Sequence, residues 1–171
     1  MNDLVIIDTE TTGWNHNYHR VIEVAAVRVV HGEIIDTYSS LIKTSASVPR
    51  FITQLTGITK RDLNKEGKEP EIVFPEIRSF IGDSTFVAHN VNFDYRFLNA
   101  EFERLELQLM ENPRLCTVRV ARRSNLPIPN FKLTTIKEFL QLDYKSHRAL
   151  NDVMVCYELL KQTNYQHVFN Y

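Results

Sequence analysis

A chain of 171 residues can bury one sizeable core and is short for several. With 43% hydrophobic and 24% charged residues it has the composition of an ordinary globular protein, and no apolar run approaches a bilayer span. A net charge of −1 means that bulk electrostatics alone do not mark a nucleic-acid binder.

The chain opens on a short apolar run, Leu4, Val5, Ile6 and Ile7, which suits a central strand buried on both faces. Asp8 interrupts that run almost at once, so no signal peptide is expected and a cytoplasmic location is. Asp8 and Glu10 lie two residues apart, so on a strand both carboxylates point to the same side. Gly13 then lets the chain turn. Residues 21–30 and 33–42 are rich in β-branched side chains and meet at His31-Gly32, the signature of a hairpin joining the second and third strands.

Segments 51–55 and 71–81 read as helices, with Pro75 predicting a break or a late start in the second. A short strand at 85–88 enters the His89-Asn90 loop. Leu98, Phe102, Leu105 and Leu109 then recur at spacings of four, three and four, the core-facing stripe of a helix. Asp94 lies four residues before Leu98 and extends that apolar stripe, which a helix-start acid with Asn92 as its cap does not explain. A last strand at 115–117, an extended loop at 126–130 carrying Pro127 and Pro129, and helices at 131–140 and 147–162 complete the chain. Ala149, Val153, Cys156 and Leu160 form the stripe of the final helix. Asp152 falls inside it, and Ser146 is a candidate N-cap. His147, five residues before Asp152, lies roughly 140° away on an ideal helix, which places it at the helix mouth or in the loop before it.

Several acids predicted to be buried require partners, and their convergence would form an oxygen-lined cage for hard divalent metals. Between 112 and 148 stand Arg114, Arg119, Arg122, Arg123, Lys132, Lys137, Lys145 and Arg148, against Glu138 and Asp143. A basic flank beside an acidic cage suits a protein that grips phosphates; a solvated basic helix face is the alternative. Cys116 and Cys156 stand in apolar contexts without ligand spacing, as expected of buried free thiols. Pattern alone gives an α/β chain.

The motifs D-T-E-T-T-G (8–13), L-T-G-I-T (55–59), H-N-V-N-F-D (89–94) and H-R-A-L-N-D (147–152) together resemble the DEDDh 3′-to-5′ exonucleases, which include the proofreading epsilon subunit of bacterial DNA polymerase III. They occur in the family's order over nearly the whole chain. The resemblance implies one exonuclease domain over residues 1–171 with a ribonuclease H-like fold, a mixed five-stranded sheet with helices on both faces. It implies that Asp8, Glu10, Asp94 and Asp152 hold two Mg²⁺ or Mn²⁺ ions about 4 Å apart. It implies further that His147 takes a proton from the attacking water and that the products are nucleoside 5′-monophosphates. It also implies a pocket for the terminal nucleotide in which Thr11 and Thr12 offer main-chain amides, Trp14 wedges between the last two bases with Ile58 facing it, and Asn90 and Phe93 line the walls. The expected partners are single-stranded or frayed 3′ ends, DNA favoured over RNA, together with a DNA polymerase and no membrane. Two other readings stay open: a 3′-to-5′ exoribonuclease acting on short or structured RNA, and an inactive polymerase-binding module.

Overall fold

The computed structural model describes residues 3–163. Strand β1 (Leu4–Thr11) is central because its apolar residues are buried on both faces. It pairs antiparallel with β2 (Val21–Val30), which pairs antiparallel with β3 (Glu33–Leu41). The β2–β3 turn has positive φ at both His31 and Gly32, matching the right-handed twist of a tight hairpin. Helices α1 (Arg50–Thr56), α2 (Lys60–Glu66) and α3 (Pro70–Ile81) lead to β4 (Thr85–Ala88), which adds parallel to the other side of β1. Helix α4 (Asn92–Arg104) crosses to the parallel edge strand β5 (Arg114–Cys116), followed by α5 (Thr117–Arg123), α6 (Leu133–Phe139) and α7 (Ala149–Thr163). The sheet order is β3-β2-β1-β4-β5.

Alternation along β1 sorts the two faces. Val5 and Ile7 pack with Phe74 and Ile77 of α3 and Phe97, Leu98 and Phe102 of α4. Leu4 and Ile6 pack with Val120 of α5 and Val153, Cys156 and Leu160 of α7. The even positions Asp8 and Glu10 continue the α7 face, and the odd Thr9 continues the α4 face.

The expected sheet, hairpin and main helices are present, with several differences. Pro75 neither breaks nor delays α3: the helix starts at Pro70 and runs through it, held by buried Val73, Phe74, Ile77 and Ile81. Helix α2 was not expected, although Thr59 and Asp62 form a reciprocal capping box at its start. Helix α5 follows β5 without a loop and was also not expected. The α4 stripe ends with the helix, leaving Leu109 exposed. Asn92 is not the cap of α4. It lies inside the first turn, and its side-chain oxygen accepts from Arg114 (3.0 Å). Ser146 does not cap α7, which begins three residues later; its hydroxyl accepts from Lys137 Nζ (2.8 Å). Cys156 is buried, while Cys116 is only half-buried. Among the described residues no helix is long and apolar enough to cross a membrane.

Candidate active site

The carboxyl end of β1 delivers Asp8 and Glu10 to the same side of the sheet as α7. There Asp152, in the first turn of α7, is 8% exposed. Glu10, His147 and Asp152 each present one donor atom within 4.8 Å of the other two. Asp94 arrives from the opposite layer. It is 2% exposed in the first turn of α4, and its Oδ1 accepts both the amide (3.0 Å) and the hydroxyl (2.8 Å) of Thr9. The stripe that carried Asp94 inward with Leu98 and Phe102 is therefore real, and Thr9 supplies the polar partners that a buried acid needs.

The four acids share an electrostatic strain. Burial, then the charges of Asp94, Asp152 and Glu10, hold the Asp8 carboxyl well above the usual carboxylate range. Burial, followed by Asp152, Glu23 and Asp94, pushes Glu10 up to about 8. Burial raises Asp94 to about 7 against the opposing hydrogen bonds from Thr9. Asp152 is also raised by burial, although the His147 amide opposes it. A cluster of oxygens that resists ionisation by itself fits a divalent cation, whose charge removes both the repulsion and the desolvation penalty.

His147 stands where its offset from Asp152 placed it, in the bend before α7. Its φ is 59°, and its amide donates to Asp152 Oδ2 (3.0 Å). One residue that sequence reasoning missed joins this bend to the sheet. Glu23 of β2 lies opposite Glu10 in the register and is 3% exposed. Arg148 grips it through Nη2 (2.8 Å to Oε1) and Nε (3.1 Å to Oε1, 3.3 Å to Oε2), and the Ala149 amide donates to Oε2 (3.0 Å). The signal was available: Glu23 shares strand parity with the buried Ala25, Val27 and Val29.

Trp14, His89, Asn90, Arg122, Lys132, His147 and Asp152 line a cleft over the cluster. His89 is neutral, lowered to about 4 by burial. Its Nε2 donates to the Phe131 carbonyl (3.0 Å), so Nδ1 accepts from the Thr117 hydroxyl (2.9 Å). The basic segment divides in two. Arg122 and Lys132 face this cleft, and Arg114 and Arg119 line an adjoining one that shares Asn90. Lys137 and Arg148 instead hold the loop before α7.

Trp14 is 72% exposed and stacks on Phe51, with centroids 5.1 Å apart and planes 17° apart. The ring beside Trp14 is thus Phe51, not Ile58, which is 3% exposed and buried with Ile22, Ile52 and Leu63. Thr12 does not offer its amide to the cleft, because that N–H donates to the Arg20 carbonyl (2.9 Å). The Thr11 hydroxyl donates to the Gly13 carbonyl (2.6 Å). Gly13 has no left-handed φ; its Cα lies against the His19 ring, which a Cβ there would meet at 2.4 Å unless the ring moved. Asn90 adopts φ 64°. Phe93 packs on Phe97 (4.7 Å) while lining a groove with Trp14 and Arg96.

The RNase_T family model, described as an exonuclease, matches residues 5–160. The chain is 38% identical over 152 residues to the PolC-type DNA polymerase III of Thermotoga maritima, covering 88% of this chain and 11% of the polymerase. It is 37% identical over 160 residues to the PolC-type enzyme of Halalkalibacterium halodurans, covering 93% of this chain and 11% of the polymerase. The chain thus spans about a tenth of the length of these relatives. Among solved structures, exonuclease X in complex with 5′ overhanging duplex DNA superposes with a TM-score of 0.75 at 26% identity, covering 98% of this chain and 93% of that one. E. coli exonuclease I in complex with a dT13 oligonucleotide superposes at 0.87 with 18% identity, covering 100% of this chain and 43% of that one.

Proposed function

Since the chain belongs to the RNase_T exonuclease family, we propose that it is a metal-dependent 3′-to-5′ exonuclease of the DEDDh type, which removes nucleoside 5′-monophosphates from DNA 3′ ends. The observation that carries this reading is the meeting of Glu10, His147 and Asp152 within 4.8 Å at the end of β1, with Asp94 and Asp152 close enough to Asp8 for their charges to raise its pKa. The acids would hold two Mg²⁺ or Mn²⁺ ions, favoured over zinc by an oxygen-rich donor set. Bound there, the ions supply positive charge that acidifies a water and neutralises the leaving 3′ oxygen.

The chain's own residues do the rest. Asp8, Glu10, Asp94 and Asp152 would have to give up their protons to hold cations, which their raised pKa values make responsive to pH. His147, as a neutral imidazole, accepts the proton of the attacking water on a ring nitrogen. Its main-chain bond to Asp152 keeps the ring at the cleft mouth. Trp14, backed by Phe51, offers an aromatic face against which the terminal bases stack. Thr11, Asn90 and Phe93 enclose the terminal nucleotide, and Ile58 supports the helix segment carrying Phe51 from beneath. Arg122 and Lys132 grip backbone phosphates.

DNA is favoured because the PolC-type relatives are DNA polymerases and exonuclease X is seen with duplex DNA. Association with a DNA polymerase, in proofreading or repair, belongs to the same proposal. The test is digestion of 5′-labelled single-stranded DNA, mispaired duplex DNA and RNA of one sequence, with Mg²⁺ or a chelator. Progressive shortening of the DNA strands only with metal is expected. Faster RNA digestion would reassign the substrate, and a full-length strand in every lane would leave a binding module.

A further inference from the structure

We propose that Glu23 is a positioning residue for His147, acting through Arg148. The inference rests on the reading of His147 as the proton acceptor. A fifth buried carboxylate opposite Glu10 adds repulsion to a cluster already strained by its own charge, and the charge of Arg148 opposes that repulsion at Glu10. The groups that hold Glu23 come from the two residues directly after His147. The Arg148 guanidinium reaches both Glu23 oxygens, and the Ala149 amide takes Oε2. A planar guanidinium on a buried carboxylate fixes orientation as well as charge.

The bend is held from its other side too. Lys137 Nζ donates to the Tyr144 carbonyl (2.9 Å) and the Ser146 hydroxyl (2.8 Å). His147 therefore stands between two anchored segments, with φ at 59° and its amide on Asp152. A left-handed non-glycine residue persists only when its surroundings over-determine it. Glu23 provides that constraint from the sheet that also carries Asp8 and Glu10, so the imidazole and the acids share one rigid base. Its oxygens are occupied by Arg148 and Ala149, which separates it from the four acids assigned to metal.

The experiment is a double-mutant cycle on the full chain: wild type, Glu23→Gln, His147→Ala and the double variant. It measures kcat and KM on an oligothymidylate with Mg²⁺, with circular dichroism and melting curves for each. Glu23→Gln is expected to stay folded, to lose about 10- to 100-fold in kcat with KM within about twofold, and to cost nothing further in the His147→Ala background. If Glu23→Gln does not fold, Arg148→Gln replaces it, since that change breaks the same pair from the partly exposed side. The proposal is overturned if the pair-breaking variant keeps wild-type kcat, or lowers kcat by the same factor with and without His147. If His147→Ala alone keeps wild-type kcat, the assignment of His147 fails first and takes this inference with it, so the two failures are distinguishable.

Discussion

Thr9 donates both its amide and its hydroxyl to a single oxygen of Asp94, joining β1 to the first turn of α4 across 85 residues of sequence. The two layers that carry the acids are thereby locked together. These bonds favour the ionised form of Asp94, and burial opposes them. Thr9→Val removes the hydroxyl at nearly constant volume and keeps the amide bond. We expect it to cost about 1 kcal/mol of stability and to raise the Asp94 pKa further. Calorimetric Mg²⁺ titration should therefore show weaker binding at pH 7, with a smaller deficit at pH 9. Equal affinity to wild type at pH 7 would remove Thr9 from this role.

Metal-free stability should fall as pH rises. The acids of the cluster have raised pKa values, Glu10 to about 8 and Asp94 to about 7, whereas an unfolded carboxyl titrates near 4. Between these values the folded state binds more protons than the unfolded one, so the melting temperature should drop as pH rises from about 4 through about 8. Saturating Mg²⁺ should flatten or reverse the trend, because the metal favours the ionised acids. A metal-free melting temperature that climbs through this window would contradict the strain at the cluster.

Asp152→Asn should leave the fold intact and abolish turnover. An asparagine oxygen can still accept the His147 amide, so the bend survives. Removing one charge relieves repulsion among the remaining acids, and the metal-free melting temperature should hold or rise. A variant that digests 3′ ends at the wild-type rate would sink the assignment of Asp152.

Trp14 is largely exposed and contacts Phe51, so Trp14→Ala should change stability little. It should weaken single-strand binding by about 1–3 kcal/mol, the scale of one base–aromatic stack. Phe51→Ala should give a smaller loss that does not add to the first. Measuring melting and strand affinity on both variants separates a binding platform from a packing pair.

What could be read from the sequence was what local periodicity records. The apolar run before Asp8, the hairpin at His31-Gly32 and the stripes that carry Asp94 and Asp152 inward each depend on spacing within one element. What could not be read depends on partners far along the chain. Helix α7 starts at Ala149 rather than beside Ser146 because Glu23, 126 residues away, takes the first amide. Phe51 rather than Ile58 meets Trp14 because α1 turns Ile52 into a core shared with Ile58, just beyond the helix, and leaves Phe51 at the surface. The Thr12 amide is taken by Arg20, at the far end of the loop that returns the chain to β2.

His147→Ala should lower kcat by about 10²–10⁴-fold, the usual contribution of a positioned acid or base. The four acids should still bind metal in that variant, since His147 is assigned no ligand role. Calorimetry beside steady-state kinetics checks both points. Lost metal affinity with an unchanged pH–rate profile would make His147 a ligand and place the base elsewhere.

The central claim is that the acids at the end of β1 hold the metals that cut the 3′ end. The most direct test follows a 5′-labelled single strand during digestion by wild type and Asp8→Asn across a Mg²⁺ titration, with Mn²⁺ binding measured on both proteins. Wild type should shorten the strand stepwise from its 3′ end only when metal is present, while Asp8→Asn should bind less metal and leave the strand whole. Shortening by wild type in chelator, or by Asp8→Asn at the wild-type rate, would contradict the account.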